Sequence, residues 1–409
     1  MIDVAIMGHG VVGSGVAEIL LDHKDSIAKK AKNEINIKYI LDLRDFEGLS
    51  YSDKFIKDFN VILRDPEIRV VVEVMGGINP AYDFVKSCLL SGKSVVTSNK
   101  ELVAAKGAEL LKIANEKNVN FLFEASVGGG IPVLRPIAQC LAANELSEIV
   151  GILNGTTNYI LTKMIKEKVS FEDALKQAQE LGYAEKDPTA DIEGHDACRK
   201  ICILASLGFG KHVYPNQVQT EGITKIDLSD AAYAEKLGYV IKLIGHAKKM
   251  DDKQISANVY PALINKENML SGVSDVFNAV MVYGDAIGQV MFYGRGAGKS
   301  PTASAVVADV IDCVKHLVAR KYLSWSEGDE GYVCDGKNAL SKLFIRLTVK
   351  NVENAAQSVY NVFGKDTKII NDVNKNEIAF LTEYDIESVL KEKLSKLDCE
   401  NAKVLHVLD

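Results

Sequence analysis

Six carboxylates, one histidine, two lysines and one arginine crowd the 23 residues 178–200, AQELGYAEKDPTADIEGHDACRK. The stretch also holds Gly182-Tyr183, an Asp187-Pro188 step and Gly194, more breakers and charges than a helix requires. That density suits a site that must hold a small zwitterion. Within it, Asp196 and Lys200 stand four apart on a helix expected over 191–207, one above the other. Ala197, Ile201, Leu204 and Ala205 make the apolar face of that helix. The two charged residues lie about 100° round from Ala197 and Ile201, at the border of the buried face. A half-buried lysine with a carboxylate partner can move a proton. An ordinary i,i+4 ion pair on a helix surface has the same spacing, so spacing leaves both readings open.

A second set of residues points to a nucleotide. Gly8-His9-Gly10-Val11-Val12-Gly13 is a GxGxxG that follows an apolar run at 2–7 and opens an amphipathic stretch over 11–32. The first glycine permits a tight turn, the second admits a pyrophosphate to the backbone, and the third lets helix and strand pack closely. The helix N-terminus then faces the phosphates, so Gly8, Gly10, Val11, Val12 and Gly13 are the expected contacts. Asp42, at the end of the second expected strand, could accept from a ribose 2′-OH; Arg44 could instead pair a 2′-phosphate. Ligands of open α/β sheets bind beyond the carboxyl ends of the strands. Met75-Gly76-Gly77, Ser98-Asn99-Lys100 and Glu124 with the ASVGGGI after it sit there. Lys100 opens a helix, where the dipole disfavours a cation, which favours a functional reading.

The elements that must position these residues can be read from periodicity. Strands are expected at 2–7, 35–41, 69–75, 94–97 and 120–123, with helices at 80–91 and 100–117 between the last three. That alternation is a doubly wound parallel sheet of Rossmann type. From about 131 the rhythm changes to helices at 131–143, 158–168, 171–181, 191–207 and 230–238, with strands near 146–153, 239–247 and 287–293. This is an α+β domain, and the amphipathic helix 302–319 is expected to pack back on the first domain. A ferredoxin-like βαββαβ unit closes the chain, with strands at 342–348, 366–371, 376–382 and 403–408 and helices at 352–362 and 386–396. The expected domains are therefore 1–130, 131–335 and 336–409, with 326–331 as the joint. A chain of 409 residues supports two or three domains, and its net charge of −7 argues against nucleic acid or an anionic membrane as partner. The seven cysteines are scattered with no CxxC, which reads as buried thiols in a reducing compartment. An N-terminus that enters structure at once leaves no room for a secretory leader, and no apolar run approaches a membrane span, so a cytoplasmic location is expected.

The block 178–200 resembles the homoserine dehydrogenase signature A-x3-G-Y-x3-D-P-x2-D-I-x-G-x-D-x3-K at every fixed position. NGTTNYIL at 154–161, GRGAG at 294–298 followed by PTASAV at 301–306, VVTSNK at 95–100 and FEASVGGGIP at 123–132 are similar to further motifs of that family. The resemblance covers about residues 1–325. It implies a reversible transfer of hydride between L-homoserine and L-aspartate 4-semialdehyde with NAD or NADP, a step toward threonine, methionine and isoleucine. It implies Lys200 as proton acid and base, Lys100 near nicotinamide and substrate, and Asp196 hydrogen-bonded to the substrate. Glu185, with Asp191, would take the substrate ammonium. Arg44, Ser98, Gly182, Glu185, Gly296 and Gly298 would help line the cofactor site. Glu124, with the backbone carbonyls of Val127, Gly129 and Ile131, matches a monovalent-cation site, usually sodium. A homodimer or homotetramer is implied as well. The tail is similar in pattern to an ACT regulatory domain, although the usual acidic-x-x-Pro-Gly turn is replaced by Asn351-Val-Glu-Asn354. Two rivals share the scaffold. Another semialdehyde dehydrogenase would lack the 154–161 and 178–200 motifs; a nucleotide-sensing regulator would not keep Lys100, Asp196 and Lys200 together.

Overall fold

The computed structural model describes residues 1–318, 323–334, 336 and 339–409. The chain groups into two compact units where three consecutive domains were expected. The first unit comprises Met1–Ile149, Cys202–Asn216 and Met281–Glu330; the second comprises Val150–Ile201, Gln217–Val280 and Gly331–Asp409. The 330/331 boundary falls in the acidic, glycine-containing stretch read as a joint. Residue 335, the expected end of the middle domain, and residue 319, the expected end of the last long helix, lie outside the described residues.

The first unit is built on six strands: β1 (Ile2–Met7), β2 (Ile35–Leu41), β3 (Phe55–Ile56), β4 (Ile68–Glu73), β5 (Ser94–Thr97) and β6 (Phe121–Leu122). Their order is β3-β2-β1-β4-β5-β6 and every pairing is parallel. Val4–Met7 and Val70–Val72 are wholly buried, as strands covered on both faces must be. The strand order reverses between β1 and β4, which makes the carboxyl end of β1, carrying Gly8–Gly13, the ligand position of such a sheet. The amphipathic stretch over 11–32 forms two helices, Val11–Asp22 and Lys24–Ala31, broken at His23. Helix Lys299–Lys315 packs on Val11–Asp22 within this unit. Gly15 allows the approach, since a Cβ there would press on the Ala303 Cβ at 2.9 Å. Lys299 Nζ pairs with Glu18 Oε1 at 2.7 Å across the same contact.

One expected helix of this unit changes character. Residues 131–143 form only a short helical turn that ends as a π-type turn, Pro136–Cys140. Pro136 has no N–H to donate, and the turn closes with Leu141 N donating to Pro136 O at 2.9 Å, five residues back.

The boundary between units falls inside β7 (Leu146–Ile152) and β11 (Phe277–Gly284). The second unit also holds β8 (Gln219–Thr220), β9 (Tyr239–Lys249) and β10 (Ile255–Asn265), while β12 (Gly288–Arg295) belongs to the first. Strands β10 and β11 were not foreseen. β9 and β10 form an antiparallel hairpin paired from Tyr239↔Asn265 to Lys249↔Ile255. The tail adds β13 (Leu340–Ser341), β14 (Leu343–Thr348), β15 (Ile369–Ile370), β16 (Glu377–Leu381), β17 (Asp385–Ile386) and β18 (Asn401–Leu408). With helices Val352–Phe363 and Glu387–Leu394 it makes the βαββαβ unit expected, in the sheet order β18-β14-β16-β15. β18 also pairs with β10 in parallel, so the tail sheet continues the hairpin. Its core is Leu343, Ile345, Leu347, Val359, Ile378 and Phe380, all buried. At the turn where the family's acidic-Pro-Gly pattern is absent, Asn351 caps helix Val352–Phe363 by accepting from Asn354 N at 2.9 Å.

Candidate active site

The first unit presents a phosphate cradle. Gly8 adopts φ +99°, and a Cβ on Gly13 would collide with the Gly8 carbonyl oxygen. The cap of helix Val11–Asp22 is Gly10, which has no side chain to occupy the terminal N–H groups, and a Cβ on Gly10 would meet open space. Those N–H groups therefore face outward for an anion. Beside them lies a pocket of about 420 Å³ lined by Gly8, Gly10, Asp42, Arg44, Lys57 and Phe84 among others.

The two ribose candidates turn out to be partners. Asp42 Oδ2 accepts from His9 N at 2.8 Å. Arg44 forks onto the same carboxylate, Nε to Oδ1 at 3.0 Å and Nη2 to Oδ2 at 2.9 Å. The Arg44 hydrogen bond, with the two backbone N–H donors, holds the Asp42 carboxyl well below the usual carboxylate range against its partial burial. Lys57, absent from the residues chosen by sequence, reaches the pocket and donates to Leu43 O at 3.2 Å. It gets there because β3 pairs with β2 at Leu41↔Ile56, which sets Lys57 next to Asp42.

Glu73 was also missed. It ends β4, is fully buried, and accepts from Met75 N at 2.8 Å and Thr97 Oγ1 at 2.6 Å. Thr97 Oγ1 accepts from Asn99 N at 2.9 Å, and Asn99 Nδ2 donates to Gly77 O at 2.6 Å. Asn99 Oδ1 in turn caps the helix that Lys100 opens. The Met75-Gly76-Gly77 and Ser98-Asn99-Lys100 segments are thus tied together by one carboxylate, whose pKa burial pushes up. The sequence signal was a lone Glu inside a valine run.

The glycine motif and the candidate cation segment meet in the same unit. Gly130 N donates to Arg295 O at 3.2 Å, and a Cβ on Gly129, at φ +56°, would collide with Gly296 O. Gly298 takes φ +125° before helix Lys299–Lys315. Buried Glu124 accepts from Val133 N at 2.6 Å, Leu134 N at 2.8 Å and Arg135 N at 2.7 Å. Its own N–H donates to Asp309 Oδ2 at 2.8 Å. Among the described residues no group of three His, Cys, Asp or Glu side chains is placed to hold a metal.

The proton-transfer candidates lie in the second unit. The helix expected over 191–207 is broken: Thr189–Ile192, then Gly194 at φ +82°, then His195–Phe209. A Cβ on Gly194 would press on Thr220 Cγ2 at 3.0 Å, so glycine serves both the turn and the packing. The restart puts Asp196 in the first turn, where the helix dipole favours a carboxylate. Lys200 and Asp196 are 7% and 4% exposed, which decides against a surface ion pair. Lys200 Nζ lies 2.8 Å from Asp196 Oδ2 and donates to Leu153 O at 2.7 Å. Asn154 Nδ2 joins Asp196 Oδ2 at 2.9 Å to Asp191 Oδ1 at 2.7 Å. Lys200, Asp196 and Asp191 are therefore one hydrogen-bonded cluster. Gly182 and Glu185 are exposed, and Glu185 lies outside that cluster among the described residues.

A parallel sheet with a phosphate cradle at its switch point, in one chain with a buried lysine–carboxylate pair, defines a nicotinamide-nucleotide oxidoreductase of the α/β class. Comparison narrows the class. The family model described as homoserine dehydrogenase, NAD binding domain, matches residues 8–124, and that described as homoserine dehydrogenase matches 132–311. Homoserine dehydrogenase of Bacillus subtilis is 45% identical over 320 residues, 77% of this chain and 73% of the relative. The crystal structure of a homoserine dehydrogenase from Thiobacillus denitrificans superposes with TM-score 0.90 at 35% identity, over 100% of this chain and 98% of that one. A hyperthermophilic archaeal homoserine dehydrogenase mutant, solved in complex with NADPH, is similar at TM-score 0.66 and 27% identity, over 76% of this chain and 97% of that one. The chain belongs to the homoserine dehydrogenase family.

Proposed function

We propose that this NAD(P)-dependent oxidoreductase interconverts L-homoserine and L-aspartate 4-semialdehyde, with Lys200 as the proton acid and base. The observation that carries the reading is the buried Lys200 ammonium, held between Asp196 and the Leu153 carbonyl in a chain that also carries a nucleotide cradle. Bound nicotinamide supplies the hydride acceptor or donor. As the aldehyde is reduced, charge grows on its oxygen; Lys200 polarises that oxygen and then gives it a proton. In the oxidative direction neutral Lys200 takes the hydroxyl proton. Asp196 keeps the lysine aimed and hydrogen-bonds the substrate. Asp191 and Glu185 take the substrate ammonium, and Lys100 stands by the nicotinamide and substrate.

The nucleotide is read as NADP. Arg44 and Lys57 are two cations on one pocket, and Arg44 already neutralises the carboxylate that would repel a 2′-phosphate. Ser98, Gly182, Glu185, Gly296 and Gly298 are read as the remaining cofactor contacts. A monovalent cation such as sodium is proposed at Glu124 and the carbonyls of Val127, Gly129 and Ile131. That set offers oxygen alone, as a hard cation prefers. With three N–H groups already on the Glu124 carboxylate, the backbone carbonyls would carry most of the binding. The tail is read as an ACT-type module and the enzyme as a cytoplasmic homodimer or homotetramer.

Purified protein given L-homoserine and NADP⁺ should generate the absorbance of reduced nicotinamide. No reduction with either NADP⁺ or NAD⁺ would sink the assignment.

A further inference from the structure

We infer that Asn154 is the positioning residue of the Lys200–Asp196 pair, holding it through a carboxamide that no other side chain of its size replaces. The inference rests on Lys200 being the proton acid and base. Asn154 is 5% exposed and directly follows Leu153, whose carbonyl accepts from Lys200. Its Oδ1 accepts from Thr157 N at 2.8 Å and Thr157 Oγ1 at 3.1 Å, capping helix Gly155–Glu167. Its Nδ2 donates to Asp191 Oδ1 at 2.7 Å and Asp196 Oδ2 at 2.9 Å. The amide can sit only this way round, because ionised carboxylates accept and the Thr157 N–H donates. Both amide hydrogens and the amide oxygen are used.

The consequence is mechanical and electrostatic. Asp196 Oδ2 is gripped from two directions, by Lys200 Nζ and by Asn154 Nδ2. The dipeptide Leu153-Asn154 therefore fixes both members of the pair, the lysine through a carbonyl and the aspartate through an amide. The same amide keeps Asp191 and Asp196, two like charges, bridged by a neutral donor. Without it, Asp196 Oδ2 would lose the Asn154 donor and the aim of the pair would loosen, and a misplacement of about 1 Å costs a reaction on the order of 10²-fold.

The capping and bridging functions separate in variants. Aspartate and serine cap a helix about as well as asparagine, while alanine does not. Aspartate, however, would turn lone pairs toward two carboxylates. The experiment measures kcat, KM for L-homoserine, NADPH affinity by fluorescence, and Tm for N154D, N154S, N154A and, as a reference, K200M. The expected result is a kcat loss on the order of 10²-fold in N154D, with N154S milder, NADPH affinity near wild type in both, and Tm near wild type in N154S but lowered in N154D, where a third carboxylate is buried beside two others. If Asn154 were a helix cap only, the order would invert: N154D and N154S near wild type, N154A impaired. That order, or wild-type kcat in N154D, overturns the inference. Should N154D fold poorly, N154S in a double-mutant cycle with D196N decides. Non-additive losses in kcat support a residue acting through Asp196, and additive losses contradict it. K200M keeps the two levels apart: turnover near wild type there refutes the role of Lys200 itself, whatever Asn154 does.

Discussion

On the NADP reading, the choice of nucleotide rests on residues at the mouth of the pocket beside Gly8 and Gly10. Arg44 and Lys57 line it, and a charge-assisted hydrogen bond to phosphate is worth about 1.5–3 kcal/mol. Arg44→Ser or Lys57→Ala should each weaken NADP⁺ binding by about 10-fold or more, while NAD⁺ affinity moves by less than about threefold. Titration with both nucleotides checks this, and equal losses for the two would contradict a 2′-phosphate site. Arg44 was legible in the sequence because it stands three residues past the end of an obvious strand. Lys57 was not, because β3, the strand that delivers it, is two residues long and gives no periodic signal. Glu73 was hidden differently: a carboxylate inside a valine run passes as part of a buried strand until its donors Met75 N and Thr97 Oγ1 are seen.

At the level of elements, β9 carries a charge into the interior. Lys242 is 3% exposed; its Nζ donates to Val273 O at 2.5 Å and Asn158 Oδ1 at 3.0 Å. Burial, assisted by the nearby Lys166, pulls its pKa down to about 8. The unfolded value is near 10.4. Between those two values the unfolded chain binds more protons at this site than the folded one, so stability rises with pH through that window. Lys242→Met removes the titration. Wild type should therefore gain stability relative to this variant between about pH 8 and 10, read by urea unfolding at each pH. A constant difference would show that the lysine is not held in a desolvated site. The elements themselves were unevenly readable. Strands β4 and β5 announced themselves through valine runs. β10 did not, because Pro261 demotes a strand reading. The fold accommodates that proline between Asn258–Val259, which pair with β8, and Ala262–Ile264, which pair with β18. The break at Gly194 was half legible, since the glycine stood out as a breaker but only its positive φ fixes the turn there.

For the molecule as a whole, a chain of ion pairs fastens the tail within the second unit. Arg346 on β14 grips Asp227, Nη1 to Oδ1 at 2.8 Å and Nη2 to Oδ2 at 2.7 Å. Lys403 on β18 pairs with Asp230, which is fully buried, and reaches Asp227 at 3.2 Å. Asp227 caps helix Leu228–Leu237, so the tail strands hold that helix through its own cap. Taking one partner from a buried cluster leaves an uncompensated charge, at a cost of about 3–5 kcal/mol. Asp227 is half exposed and Lys403 stays on Asp230, so Arg346→Met should cost less, about 1–3 kcal/mol measured in urea, and a loss under about 0.5 kcal/mol would show the cluster to be solvated instead. The motif resemblance covered the first 325 or so residues and could not foresee this attachment, because it depends on which strands the tail lays against the β9–β10 hairpin. Among the described residues no helix is long and apolar enough to cross a membrane.

Proton transfer here depends on one ammonium group, and Lys200→Met tests it most directly, since methionine keeps most of the length of the side chain and removes the ionisable amine. The measurement is the rate of L-homoserine oxidation with saturating NADP⁺, alongside NADPH binding by fluorescence on the same sample. With Lys200 as the acid and base, kcat falls by about 10³-fold, within the range for removal of a general acid–base, while nucleotide affinity stays within about twofold of wild type. A kcat within about tenfold of wild type would contradict that role, given what such a group contributes.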